Sequence, residues 1–143
     1  MKTFQLKIIT PEKVIFDEPV MEVLLPTKDG QVGILARHVP YIAPLHADEL
    51  VVYKSKQPDD ILSFAVDFGL AEFADNQLLI LVAAASAAAD IDLERAQAAK
   101  ERAAKLMSET VSDEEYANAL ALIERESAKI KVASKYRLKR RVN

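Results

Sequence analysis

The sequence predicts an α+β protein in which an N-terminal antiparallel β-sandwich is followed by a C-terminal antiparallel two-helix hairpin. The first 85 residues form short runs at strand period, separated by turn signals. Residues 83–89 are all alanine except Ser86, and from Asp90 onward apolar residues recur at helical spacing. We therefore expect a β domain at residues 1–86 and a helical domain at residues 87–143.

The expected strands follow one another without an intervening helix. In the first of them Phe4, Leu6 and Ile8 alternate with polar residues. The other candidate strands are apolar runs at residues 14–16, 20–25, 32–35, 50–53, 61–66, 70–73 and 78–82. Turn signals separate these runs, namely Thr10-Pro11, Pro26 with Asp29-Gly30, Pro40, Pro44, residues 57–60 and Asp75-Asn76. Because no helical segment interrupts them, a parallel sheet with crossover helices is not expected.

Two helices are expected in the second domain. Asp90 and Asp92 supply the negative charge and the cap at the first N-terminus, and Ser112 with Glu115 forms a capping box for the second. The predicted buried positions are Ala96, Ala99, Ala103 and Leu106 on the first helix and Tyr116, Ala119, Leu120, Ile123 and Ile130 on the second. Alanine buries little apolar area, so we expect a hairpin that docks only lightly on the sandwich and can move.

The composition and motifs argue against several function classes. The chain of 143 residues has no cysteine, which excludes disulfides and a thiolate nucleophile. His38 and His46, with Asp48 or Glu49, are candidate metal ligands, but locally bonded histidines are the commoner case and no metal site is predicted. No catalytic triad motif or phosphate-binding glycine loop is present. Because no catalytic constellation is present, we expect a protein that is not itself an enzyme. We also expect it to be soluble and intracellular, because its longest apolar run, residues 78–85, is too short to cross a bilayer.

The charge of the chain is unevenly distributed. The net charge is −3, yet seven Lys and Arg residues and no acid follow Glu126. This pattern predicts a basic tail that meets an anionic partner, with a merely solvated chain end as the alternative. Nucleic acid is not expected as the partner, because the sequence pI is about 5.5 and Tyr136 is the only aromatic residue among these cations.

Three stretches resemble the epsilon-subunit family of bacterial F-type ATP synthases. They are residues 4–12, residues 30–40 with Gly30-x-x-Gly33-Ile34 followed by His38-x-Pro40, and residues 90–96. The resemblance extends from about residue 2 to residue 132. This sequence departs from the family in having Phe68-Gly69 where Gly-Gly is usual, in the alanine segment at 83–89, and in running past the usual end.

The resemblance implies a non-catalytic rotor subunit of a proton-translocating enzyme. Its sandwich would lie against the γ subunit and the c-subunit ring at the cytoplasmic face of the cell membrane, as a peripheral membrane protein. Gln31 and His38 match a loop that faces the ring. The hairpin would inhibit ATP hydrolysis when it extends along γ into the α/β catalytic head. We expect the basic tail, through Arg137, Lys139, Arg140 and Arg141, to contribute to that inhibition.

Some family members bind ATP on the folded hairpin, and the resemblance extends partly to that motif. Ser86 stands where an acid is usual, and Lys129 stands where an arginine is usual. Lysine cannot form the two-pronged contact that a guanidinium makes with phosphate. We therefore expect no required cofactor and weak or absent ATP binding. Any nucleotide site would be built from the residues that match the motif, Asp92, Arg95, Ala96, Arg102 and Arg125.

A second interpretation belongs to a different class. The chain would then be a free-standing β-sandwich that binds a ligand and oligomerises through its helical arm. The two interpretations differ in what the chain binds, because a rotor subunit forms a tight pair with γ whereas the second class forms a stable homo-oligomer.

Overall fold

The computed structural model describes residues 2–109 and 112–142, and in this part of the chain ten β-strands precede two α-helices. The strands are β1 Phe4–Ile9, β2 Val14–Val20, β3 Glu22–Thr27, β4 Gly30–Leu35, β5 Tyr41–Leu45, β6 Asp48–Tyr53, β7 Ile61–Val66, β8 Gly69–Ala74, β9 Gln77–Val82 and β10 Ala85–Ala87. The helices are α1 Leu93–Glu109 and α2 Asp113–Val142, and single 3-10 turns occupy Pro58–Asp60 and Ala88–Asp90. This arrangement confirms the predicted fold class.

The strands pair in the order β10-β7-β6-β3-β5-β8-β9-β1-β2, and β4 pairs with β3. One of the described pairs departs from the antiparallel prediction, because β1 and β9 run parallel from Gln5 opposite Gln77 to Ile9 opposite Leu81. Sequence patterns could not reveal this pair, since it joins segments about 70 residues apart and either strand direction gives the same alternation.

Two strands lie where no strand was predicted. β5 contains Pro44, which was interpreted as a breaker. It pairs with β8 over its whole length but with β3 only at Leu45, so the proline lies on a strand that has little pairing on one side. β10 lies within the alanine segment and pairs with β7, opposite Phe64 to Val66. Position 86, the expected boundary, therefore lies inside a strand, because pairing with β7 outweighs alanine's small helix preference.

The core of the sandwich is formed by strand residues alone. Phe4, Leu6 and Ile8 are buried as the alternation of β1 predicts, and the Phe4 ring meets the Phe73 ring edge to face at 5.5 Å. All the fully buried members of this core cluster lie between Phe4 and Val82. The sandwich consequently has a core that does not require the helices.

The two helices form an antiparallel hairpin, and α2 packs on β6 and β7. The caps are those predicted, because the Asp92 carboxylate accepts a hydrogen bond from the Arg95 N–H at 3.1 Å and the Ser112 hydroxyl accepts one from the Glu115 N–H at 3.1 Å. Among the described residues, neither helix is both long enough and apolar enough to span a membrane.

The buried face of the hairpin differs from the prediction. Leu106, Tyr116 and Leu120 are 40–55% exposed, although helical spacing assigned them to the buried face. They lie near the interhelical connection, whereas the contacts of α2 with the sandwich lie further along that helix. Ala96, Ala103 and Ala119 are buried as predicted, and the other buried apolar residues of the helices are Leu93, Ala128, Val132 and Ala133. Helical periodicity identifies the apolar face of a helix, but it does not show how much of that face is covered by the rest of the protein.

Candidate functional site

The residues that match the nucleotide motif are engaged in the structure of the hairpin itself. Asp92 caps α1 through its side chain, and its carbonyl accepts the Ala96 N–H at 3.0 Å. Ala96 is buried, whereas Arg95 and Arg102 are exposed on α1. These contacts account for Asp92 and Ala96 without a ligand, and ATP binding by this set stays a prediction.

Arg125 joins the hairpin to the sandwich. Its Nε lies 2.7 Å from Oδ2 of Asp67, which follows β7. This nitrogen has no partner that meets hydrogen-bond geometry, so the contact is an ion pair whose N–H is poorly aligned with the carboxylate. Lys129, the other cation near the nucleotide motif, pairs with Glu126 at 3.2 Å within α2.

The structure separates Gln31 and His38, which were expected on one loop. Gln31 lies in β4 opposite Pro26, and His38 follows the other end of that strand. The four residue steps from Gln31 to Leu35 alone span about 13 Å. The His38 ring lies edge-on to Tyr41 and Phe73, and its Nδ1 is 2.7 Å from the Val39 carbonyl oxygen. Contact of either residue with a ring of subunits stays a prediction.

The candidate metal ligands contact different parts of the chain. His46 lies beside the Phe68 ring, and Glu49 pairs with a lysine of α2. Across residues 2–109 and 112–142, no cluster of three His, Asp or Glu side chains is arranged to hold a metal ion.

The predicted basic tail is helical and contacts acids of the same chain. Lys131 pairs with Asp48 at 3.0 Å, and Lys135 pairs with Glu49 at 2.8 Å. Lys139 donates a hydrogen bond to the Pro58 carbonyl at 2.9 Å. Sequence reasoning missed these acceptors, although one signal was present, because two adjacent acids, Asp48 and Glu49, begin the otherwise apolar β6.

A further pair holds the two helices together. The Arg137 guanidinium donates to both oxygens of Glu94, at 3.1 and 3.3 Å. The pKa of the Glu94 carboxyl lies below its usual value, chiefly because of the hydrogen bond from Arg137. The backbone hydrogen bond of Glu94 and the Coulomb attraction of Arg137 lower it further. The same pair raises the pKa of Arg137. Because the pKa of Glu94 is lowered in the folded chain, the ion pair stabilises the hairpin at pH values above the usual carboxyl pKa. This stabilisation is lost as the pH falls through the lowered pKa.

Replacing Arg137 with glutamine is expected to raise the pKa of Glu94 towards its usual value, because glutamine removes the charge-assisted hydrogen bonds. An NMR titration of the side-chain carboxyl carbon measures this shift directly. Arg141→Gln removes the same charge from the same helix end and should leave the Glu94 titration unchanged. An unaltered Glu94 pKa in the Arg137 variant would show that the pair does not persist in solution.

The basic end of α2 covers the sandwich incompletely. An open cavity of about 810 Å³ lies between it and the sheet, with Val51, Tyr53 and Ile61 on the sheet side and Lys135, Tyr136 and Lys139 on the helix side. Apolar contact is therefore limited here, and charged contacts contribute a larger share of the attraction than they do in a close-packed interface.

Comparisons with known proteins agree with this architecture. Residues 3–88 match the family described as ATP synthase, Delta/Epsilon chain, beta-sandwich domain, and residues 89–134 match the corresponding long alpha-helix domain. An ATP synthase epsilon chain of Syntrophobacter fumaroxidans is 37% identical over 92% of this chain and 96% of its own length. One from Caldanaerobacter subterraneus is 36% identical over 94% of this chain and 96% of its own length.

The fold also resembles a solved structure. A chain in the cryo-EM structure of the Euglena gracilis mitochondrial ATP synthase, OSCP/F1/c-ring, aligns with a TM-score of 0.77 at 20% identity, covering 93% of this chain and 82% of that chain. This likeness concerns the fold, whereas the family models and the relatives identify the class of protein, a non-catalytic stalk subunit of an ATP synthase. The chain belongs to the ATP synthase delta/epsilon family, as an epsilon chain of the F-type enzyme.

Proposed function

We propose that the chain is a rotor subunit that couples the catalytic head to the c-subunit ring, and that its hairpin inhibits ATP hydrolysis when it leaves the sandwich. The resemblance of the sequence supports γ, the c ring and the α/β head as its partners. The observation that carries the inhibitory part is that the hairpin docks through an apolar cluster separate from the sandwich core. The buried members of that cluster are Ala65, Ala128 and Val132, with Ala88 and Ile91 packed beside them.

The small size of this docking cluster makes movement of the hairpin feasible. All five of its members are alanine, valine or isoleucine, whose side chains have at most four carbons, and three of them are alanines. At roughly 25 cal/mol per Å² of apolar surface, the three alanine methyl groups contribute little to docking, so Val132 and Ile91 supply most of the apolar contact. Undocking therefore exposes little apolar area, and it leaves the separate sandwich core intact.

The surface of the sandwich supports a role in a larger assembly. Pro44, Leu70 and Leu81 are exposed and lie side by side across β5, β8 and β9. Leu35 and Val39, on either side of the turn before His38, are 55% and 69% exposed. Exposed apolar rows of this kind are typical of surfaces that a partner covers. We propose that they contact γ and the c ring at the cytoplasmic face of the membrane, in a proton-translocating complex.

Removing residues 89–143 tests the proposal. This cut keeps β10, and the shortened chain is expected to bind γ while ATP hydrolysis by the reconstituted complex rises several-fold, because the inhibitory element is gone. Steady-state hydrolysis and co-purification with γ are measured side by side with the full-length chain. Unchanged hydrolysis would refute the inhibitory role, and a stable homo-oligomer that does not bind γ would favour the ligand-binding interpretation.

A further inference from the structure

Three lysines of α2 lie on one face of the helix and meet the sandwich. Lys131, Lys135 and Lys139 are spaced four residues apart, which places them in one row along a helix with 3.6 residues per turn. Their partners are Asp48, Glu49 and the Pro58 carbonyl, at 3.0, 2.8 and 2.9 Å. We call these three residues the lysine row.

The middle contact of the lysine row has the most deeply buried acidic partner, although Lys135 itself is exposed. Glu49 is only 4% exposed, and it lies between Asp48 and the buried Leu50 in β6. A buried carboxylate is costly unless a cation or hydrogen-bond donor accompanies it. Lys135 supplies that cation only while α2 lies on β6. The Lys131–Asp48 pair is about half exposed on both sides and contributes less.

Two of these three lysines lie beyond the part of the chain that the family model matches. The match to the helical domain ends at residue 134, and α2 continues through Lys135 and Lys139 to Val142. The cavity beneath this end of α2 leaves little apolar contact to hold it. Docking of the extension, residues 135–142, therefore depends on its charges.

We propose that this extension is an electrostatic latch that holds the hairpin on the sandwich. The basic tail then has two parts with opposite effects. Lys135 and Lys139 stabilise the docked hairpin, whereas Arg140 and Arg141 make no ion pair within the described residues and are available to a partner when the hairpin extends. The latch concerns docking alone, and only its effect on hydrolysis rests on the proposed inhibitory function.

Energy transfer between two dyes on the isolated full-length chain measures docking. The chain has no native cysteine, so Lys28→Cys on the sandwich and Ala104→Cys on α1, both exposed, provide two label sites away from the latch. Lys135→Gln with Lys139→Gln is expected to lower the ratio of docked to undocked hairpin about tenfold or more. Arg140→Gln with Arg141→Gln removes the same charge and should leave that ratio unchanged. Equal ratios in the two double variants would overturn the latch.

The Glu49 partner gives a second and independent test. Glu49→Gln removes the buried charge with little change in size, so docking no longer requires Lys135. In that background Lys135→Gln should have little further effect, whereas it should have a large one with Glu49 present. Additive effects of the two substitutions would show that the pair does not carry the latch. This comparison also separates loss of the pair from general damage to the sandwich.

Hydrolysis by the assembled complex separates the latch from the proposed function. Lys135→Gln with Lys139→Gln should lower hydrolysis, because more hairpins are free to inhibit. If the dyes report undocking while hydrolysis is unchanged, the latch stands and the inhibitory function fails. If deletion of residues 89–143 raises hydrolysis while the lysine substitutions leave docking unchanged, the latch fails and the inhibitory function stands.

Discussion

Replacing Gly69 with alanine is expected to destabilise the sandwich by about 3 kcal/mol. Gly69 lies at the start of β8 opposite Val82. A Cβ atom there would lie 2.8 Å from the Val82 Cα and closer still to the Leu81 carbonyl oxygen. Both contacts are with the backbone of β9, which cannot move aside as a flexible side chain can. The two strands would have to separate, and the hydrogen bonds between them would weaken.

Urea denaturation followed by circular dichroism measures this loss. Gly33→Ala is the matched control, because a Cβ there would lie 3.4 Å from the Glu22 Oε1 and 3.6 Å from the Leu24 Cδ2, which are ordinary contacts. That variant is expected to change the free energy of unfolding by less than about 1 kcal/mol. Similar losses for the two glycines would show that close approach of β8 and β9 does not constrain position 69.

Replacing Val132 with aspartate is expected to undock the hairpin almost completely. Val132 is fully buried in the cluster that joins α2 to the sandwich, beside Ala65 and Ala128. Burying an unpaired carboxylate there costs several kcal/mol, and the substitution also removes the apolar contact of Val132, which leaves only Ile91 and three alanines in the cluster. The hairpin would therefore leave the sandwich instead of burying the charge, and the sandwich core would remain folded.

Energy transfer between dyes at Lys28→Cys and Ala104→Cys reports the undocking, and thermal unfolding of the sandwich reports its integrity. Leu138→Asp adds the same charge to the same helix at a position that is 65% exposed, and it should leave both signals unchanged. High energy transfer in the Val132 variant would contradict the assignment of this cluster to docking. Loss of cooperative unfolding would contradict the independence of the two cores.

Local chemistry explains which elements could be predicted from the sequence. The β3–β4 turn is Lys28-Asp29, and Gly30 follows it as the first residue of β4 at a φ of 112°. Asp75-Asn76 forms the β8–β9 turn with both residues at positive φ. Asp92 and Ser112 cap the helices as expected. Each of these features depends on residues within three or four positions of one another, so the sequence contains the whole of the interaction.

The elements that were missed depend on distant parts of the chain. β10 forms because its residues pair with β7. The proline in β5 is tolerated because that strand pairs along its length with β8 alone, which leaves its other side almost unpaired. Among the candidate site residues, sequence matching selected Asp92 and Arg125 for a nucleotide. The structure shows what else they do, since one caps α1 and the other pairs with Asp67.

The sequence by itself determined the class of fold, the family and the presence of a strongly basic end, because period, turn chemistry, motif spacing and charge are all local properties. Only the tertiary structure decided what the basic end contacts. Lys131 and Lys135 meet acids that lie 83 and 86 residues away along the chain. The strength of such a pair depends on distance and burial, and both are set only when α2 lies against β6.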